Sequence, residues 1–120
     1  MSCKLNTRHV GNVAVVDIAG KITLGEGSGM VRNTIKGLVT GGERRILLNL
    51  GDVTYIDSAG LGEMVGAYAS VSNAGGEIKL LNPQGKIRDL LSVTKLYSVF
   101  ATFANEAEAI RSFGDAAAGV

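Results

Sequence analysis

One hydroxyl in this chain stands where its neighbours could put it to chemical use. Ser58 lies within VTYIDSAGLGEMVGAY, Val53 to Tyr68, between the carboxylate of Asp57 and the glycines Gly60 and Gly62. As a nucleophile it would need the turn Gly-x-Ser-x-Gly, in which small neighbours let the serine adopt a strained strand-to-helix backbone. Gly60 meets that pattern, but Ile56 occupies the first glycine position. A triad also needs a base, and the only histidine, His9, falls in the opening segment, at what should be a sheet edge. Hydrolysis is therefore disfavoured, and no catalytic residue is assigned.

Two other uses remain. Asp57 or Ser58 could cap a helix by accepting from an orphan backbone N–H, an interaction worth about 1 kcal/mol. One cap position needs one side chain; if Asp57 takes it, Ser58 enters the first turn with its hydroxyl free. A phosphoryl group on that hydroxyl would meet unpaired N–H groups and the positive end of the helix dipole. It would add about 1.5 to 2 negative charges at a surface that had accepted a neutral serine. The fold would survive while binding changed.

The glycines beside it bear on the same question. Gly60, Gly62 and Gly66 each cost roughly 1 kcal/mol relative to alanine inside a helix, so they need a compensating reason. Gly62, Gly66 and Ser70 lie four apart and form a smooth ridge. Either the helix packs closely on a sheet, or the ridge leaves room for another protein to reach Ser58.

Composition narrows the classes. The chain has 120 residues, 46% hydrophobic and 19% charged, which fits one ordered domain with a single core. A net charge of +1 offers no general pull toward nucleic acid or acidic membranes. Cys3 is the only cysteine, so there is no disulfide framework and no His/Cys set spaced for zinc. No apolar run approaches a membrane span and MSCKLNTRHV lacks a signal core, so a soluble, unprocessed protein of a reducing cytoplasm is expected. The stretch Gly25-Glu26-Gly27-Ser28-Gly29 fails the dinucleotide fingerprint, since Met30 falls where the third glycine is due, and no Gly-Lys-Ser/Thr makes a P-loop. Neither a cofactor nor a metal is implied. Arg32, Lys36, Arg44 and Arg45 read as a solvated surface, and Tyr55 and Tyr68 as half-buried core residues.

These residues must be positioned by an alternation of strands and helices. KLNTRHVGNVAVVDIAG predicts a hairpin around Gly11-Asn12, with Val13 to Ala19 as its second strand. Val31, Ile35, Leu38 and Val39 share one face of a helix over about Ser28 to Thr40. RRILLNL reads as a central strand buried on both faces. From Ser58, the apolar positions Leu61, Met64, Val65, Tyr68 and Ala69 predict a helix to about Ala74, stopped by Gly75-Gly76. EIKLL is the next strand, and Ile87, Leu90 and Leu91 mark a short helix. LYSVFATF supplies a connection and a last strand, and Asn105 caps a closing helix to Phe113, followed by a frayed tail over 115–120. The pattern is α/β with a mostly parallel sheet.

The segment VTYIDSAGLGEMVGAYASVSNAGGEIKLLNP resembles the STAS domain of the anti-sigma factor antagonists, through its apolar strand, Asp-Ser-Ala-Gly-Leu-Gly and a helix ending in Ala-Gly-Gly. VVDIAGKIT is similar to that family's second strand, and IRDLLSVTKLYSVFATFANEAEAIRSF to its closing helices, so the resemblance covers about Leu5 to Phe113. It implies one STAS domain over 1–114: a mixed, mostly parallel sheet of four to five strands, an N-terminal β-hairpin and about four helices. It further implies a cytoplasmic, non-enzymatic bacterial partner switch. The unmodified protein would bind an anti-sigma factor serine kinase of the histidine-kinase-like ATPase fold and so release a sigma factor. The kinase would phosphorylate Ser58, and a metal-dependent serine phosphatase would reset it. Asp57, Ser58, Ala59, Gly60, Leu61 and Gly62 would form the partner-binding surface, flanked by Gly25 and Glu26, where this chain departs from the family's usual sequence. No nucleic acid and no direct membrane insertion are implied. The alternative is a scaffold subunit of a stress-signalling or lipid-transport complex, with Ser58 as a mere cap.

Overall fold

The β-branched and leucine-rich runs form the strands, and the glycine-punctuated amphipathic stretches form the helices between them. The structure is a computed structural model describing residues 3–118. Its order is β1 (Cys3–Val10), β2 (Val13–Ile22), α1 (Glu26–Thr40), β3 (Arg45–Ile56), α2 (Ser58–Asn73), β4 (Glu77–Leu81), α3 (Gly85–Val93), a short 3-10 turn at Leu96–Ser98, β5 (Thr102–Phe103) and α4 (Glu106–Ala118). The five strands lie in the order β1-β2-β3-β4-β5, with β1 antiparallel to β2 and the remaining pairs parallel. The expected hairpin, mostly parallel sheet and four helices are all present.

Alternation along β2 and β3 divides the interior between the two faces of the sheet. Val16, Ile18, Ile46 and Leu48 join Val31 and Ile35 of α1, Met64, Ala67 and Val71 of α2, and Ile87 and Leu91 of α3 in one core. Val13, Val15, Leu47 and Leu81 face the other way and are covered by Ala109 and Phe113 of α4. Burial of β3 on both faces explains its continuous apolar run, as expected. The strand runs further than RRILLNL, however, because it takes up two irregularities. Between Asp17 and Ala19 of β2 the partner positions on β3 advance from Asn49 to Asp52, and between Gly20 and Lys21 they advance from Val53 to Tyr55. Asn49 Oδ1 accepts from the Gly51 N–H at 3.1 Å at the first of these, and Thr54 Oγ1 donates to the Gly20 carbonyl at 3.3 Å near the second. Extra residues on one strand bend and twist it locally, and the strand ends by delivering Asp57 beside Ile22.

α2 differs from expectation in which face it buries. Gly60, Met64, Ala67 and Val71 are its buried residues. Leu61 and Tyr68 are half-buried, while Val65 and Ala69 are exposed. Met64 is buried as expected, while Gly60 and Ala67 turn inward where the helix lies close to β2 and α1, and Leu61 and Tyr68 pack on the core from its flanks. Tyr68 packs edge-on to Phe100, with centroids 5.5 Å apart at 73°. At the C-terminus, Asn105 Oδ1 accepts from the Glu108 N–H at 3.0 Å, the expected cap. α4 continues to Ala118, past the end expected at Phe113, through a run of alanines with high helix propensity. The expected tail thus falls inside this helix up to Ala118, and its last two residues lie outside the described residues.

Candidate functional site

Ile22 and Ile56 are paired at the C-terminal ends of the adjacent parallel strands β2 and β3. Each strand hands on to a helix at that point, so segments more than thirty residues apart in the chain meet there. Asp57 takes the cap of α2. It is extended, with φ −94° and ψ −175°, and its Oδ1 accepts from the Gly60 N–H at 2.8 Å. Its second oxygen reaches across the strand ends and accepts from the Leu24 N–H at 3.0 Å. The Asp57 N–H donates to the Ile22 carbonyl at 3.2 Å, and the Leu61 N–H to the Asp57 carbonyl at 2.9 Å. One residue thus fixes the start of α2 and the loop before α1. Donation from Leu24 and, next, Gly60 holds the Asp57 carboxyl below the usual carboxylate range.

Ser58 is the first residue of α2. It is exposed, and among the described residues its hydroxyl has no hydrogen-bond partner. Ala59 and Leu61 are half-buried behind it, and Leu61 packs against the main core. Gly60 belongs to the site in a different way. It is buried, and a Cβ there would press into the Ile22 carbonyl oxygen and meet Ile56 Cγ2 at 2.8 Å, so its lack of a side chain lets α2 dock on the strand end. It supports the exposed surface from below. Gly62 and Gly66 are exposed, and a Cβ at either meets nothing within 4 Å. The two readings of the glycines therefore divide: close packing accounts for Gly60, and open surface for the other two.

Gly25 and Glu26 follow directly on Leu24, whose N–H Asp57 binds. Gly25 caps α1 with φ 94°, a conformation suited to glycine, and Glu26 opens the helix, where a negative charge suits the dipole. Both are exposed. Sequence reasoning missed Leu24, whose side chain is 78% exposed although its backbone is bound to Asp57. The only available signal was a leucine directly before a glycine-rich turn. Tyr55, expected to be half-buried, is 49% exposed on the strand leading to the site. Arg32 is not merely solvated: it pairs with Glu63 at 2.7 Å, linking α1 to α2. Among the described residues no group of three or more His, Cys, Asp or Glu is placed to hold a metal.

Comparison with known proteins gives one consistent result. The STAS domain family matches residues 4–109. The anti-sigma F factor antagonist of Paenibacillus polymyxa is 26% identical over 114 residues, spanning 92% of this chain and 94% of that protein. The anti-sigma-B factor antagonist of Bacillus subtilis is 30% identical over 99 residues, 82% of this chain and 89% of its own. The crystal structure of an anti-sigma factor antagonist from Mycobacterium paratuberculosis superposes with a TM-score of 0.82 over 95% of this chain and 96% of that one; at 17% identity this concerns the fold alone.

Proposed function

This chain belongs to the STAS domain family, and from that premise we propose that it is an anti-sigma factor antagonist switched off by phosphorylation of Ser58. It is a regulatory protein and not an enzyme, as are its antagonist relatives. In this reading the unmodified form binds a cytoplasmic anti-sigma factor serine kinase through Asp57 to Gly62 together with Gly25 and Glu26, and a sigma factor is released. ATP and its metal ion are the kinase's, and a metal-dependent serine phosphatase restores the hydroxyl. Among the described residues no helix is long and apolar enough to cross a membrane.

The observation that carries the proposal is the division of labour between two adjacent residues. Asp57 satisfies the cap, which leaves the Ser58 hydroxyl exposed and unbonded at a helix N-terminus. A phosphoryl group there is favoured by the helix dipole, so modification does not oppose folding. It adds about 1.5 to 2 negative charges beside an Asp57 that is already ionised. Weakening a complex tenfold takes only about 1.4 kcal/mol, well within the cost of a misplaced charge at an interface.

The test is retention from the host's own lysate on wild type, Ser58→Ala and Ser58→Asp. Wild type and Ser58→Ala are expected to retain an ATPase-fold kinase, and Ser58→Asp to lose it with little change in melting temperature. Equal retention of that kinase by all three would count against a switch. Retention of a permease or scaffold by all three would favour the scaffold role instead.

A further inference from the structure

The loop between β2 and α1 is fixed at several points, yet it carries a large apolar side chain into solvent. The Leu24 N–H is held by Asp57 Oδ2 at 3.0 Å. Just before it in the chain, the Ile22 carbonyl accepts from the Asp57 N–H at 3.2 Å and the Thr23 carbonyl accepts from the Ser28 N–H at 2.9 Å. Gly27 is buried with its Cα against the strand end, where an added Cβ would lie 2.6 Å from the Lys21 carbonyl oxygen. The Leu24 side chain nevertheless remains 78% exposed.

An isolated exposed leucine needs no explanation. Val93, at 79% exposure, is one such residue, standing at the end of α3 with no bond to the Ser58 motif. Leu24 differs because its backbone is clamped by the residue immediately before Ser58. A side chain on a backbone already fixed loses little further freedom on binding, so more of its burial appears as affinity. The clamp also ties the Leu24 backbone to the residue next to Ser58, and both residues are exposed, so a protein that reads the hydroxyl can meet the leucine as well.

Building on the antagonist reading above, we propose that Leu24 is the apolar anchor of the partner contact, received by an apolar pocket on the kinase, and that Asp57 is the positioning residue that presents it. This gives Leu24 a part in partner choice, and it gives Asp57 a task separate from capping α2: one carboxylate oxygen serves each.

The test uses the purified kinase that wild type retains, titrated calorimetrically with purified variants. Leu24→Ala is expected to raise Kd about tenfold or more, because the apolar burial of the leucine side chain is lost. Its melting temperature should stay at the wild-type value, since the side chain contributes no core contact. Leu24→Met, apolar and of similar volume, should recover most of the lost affinity. Asp57→Asn can no longer accept at both oxygens and should also weaken binding. Because Asp57 acts through Leu24, the double variant should bind less weakly than the two single losses multiplied together. Wild-type affinity in Leu24→Ala would overturn the anchor while leaving the antagonist reading in place. Fully multiplicative losses in the double variant would overturn the positioning role. If wild type binds no kinase, the antagonist reading fails and this proposal fails with it.

Discussion

A methyl group added at Gly60 would press into the Ile22 carbonyl oxygen, whereas one added at Gly62 meets nothing within 4 Å. The two substitutions should therefore have opposite signs. Gly60→Ala forces α2 away from the strand end and should destabilise by about 1–3 kcal/mol, as overpacking typically does. Gly62→Ala removes backbone freedom from the unfolded chain without a clash, and should stabilise by up to about 1 kcal/mol. Urea unfolding of both variants checks the pair; a loss of stability in Gly62→Ala would show that its surroundings are not open. Asp57 adds a pH dependence at the same scale. Its folded-state pKa is depressed, so its contribution is present above the unfolded-state value near 4 and is lost as pH falls through the folded value. The Leu24 amide reports this directly: its hydrogen-exchange protection, corrected for the intrinsic rate, should fall on acidification through that window and should be reduced at neutral pH in Asp57→Asn.

Between elements, the strongest polar link ties the first strand to the last helix. Arg8 donates to Asp17 Oδ2 at 2.7 Å and Oδ1 at 3.1 Å, and to Glu106 Oε1 at 2.7 Å and Oε2 at 3.0 Å, while Asn49 Nδ2 donates to Asp17 Oδ1 at 2.8 Å. The guanidinium holds both carboxyls below their usual range, and they raise its own pKa in return. Both carboxylates therefore stabilise the fold above pH values near 4, and that contribution is lost as pH falls through their depressed folded-state values. The groups are partly exposed, so Arg8→Ala should cost about 1 kcal/mol at neutral pH, at the upper end for surface pairs. The difference in melting temperature between wild type and Arg8→Ala should shrink on acidification below pH 4; an unchanged difference would show that the pairs contribute nothing. This network was not legible in the sequence, because Arg8, Asp17 and Glu106 come together only once β1 pairs with β2 and α4 crosses the sheet. The elements themselves were legible: Gly11-Asn12 marks the hairpin, Gly75-Gly76 closes α2, and Asn105 with Glu108 opens α4. The buried face of α2 was legible in part, in Met64, Leu61 and Tyr68; Val65 and Ala69 are exposed instead, since periodicity ranks residues by size and hydrophobicity, whereas close approach to β2 and α1 favours Gly60 and Ala67. Gly51, Asp52 and Thr54 hid the full length of β3, because its irregularities interrupt the apolar alternation.

For the whole molecule, the parallel pairing of β2 with β3 gathers the site at one end of the sheet. Segments 22–26 and 57–62 each follow a strand end, and the bond from Asp57 to Leu24 joins them. The hexapeptide Asp57 to Gly62 was recognisable in sequence because capping, close packing and an exposed hydroxyl constrain its residue types locally. Leu24 was not, since its exposure and its tether depend on which strands become neighbours. The central claim is that the hydroxyl of Ser58 governs a complex, and the most direct test is to incubate the purified complex of this chain with the kinase proposed to bind it, adding magnesium and ATP, while following complex mass and mapping any modified residue by mass spectrometry. One phosphoryl group on Ser58, with dissociation at the same rate and an intact, undissociable complex for Ser58→Ala, is the expected result. Phosphorylation elsewhere, or a complex that persists with Ser58 fully modified, would contradict it.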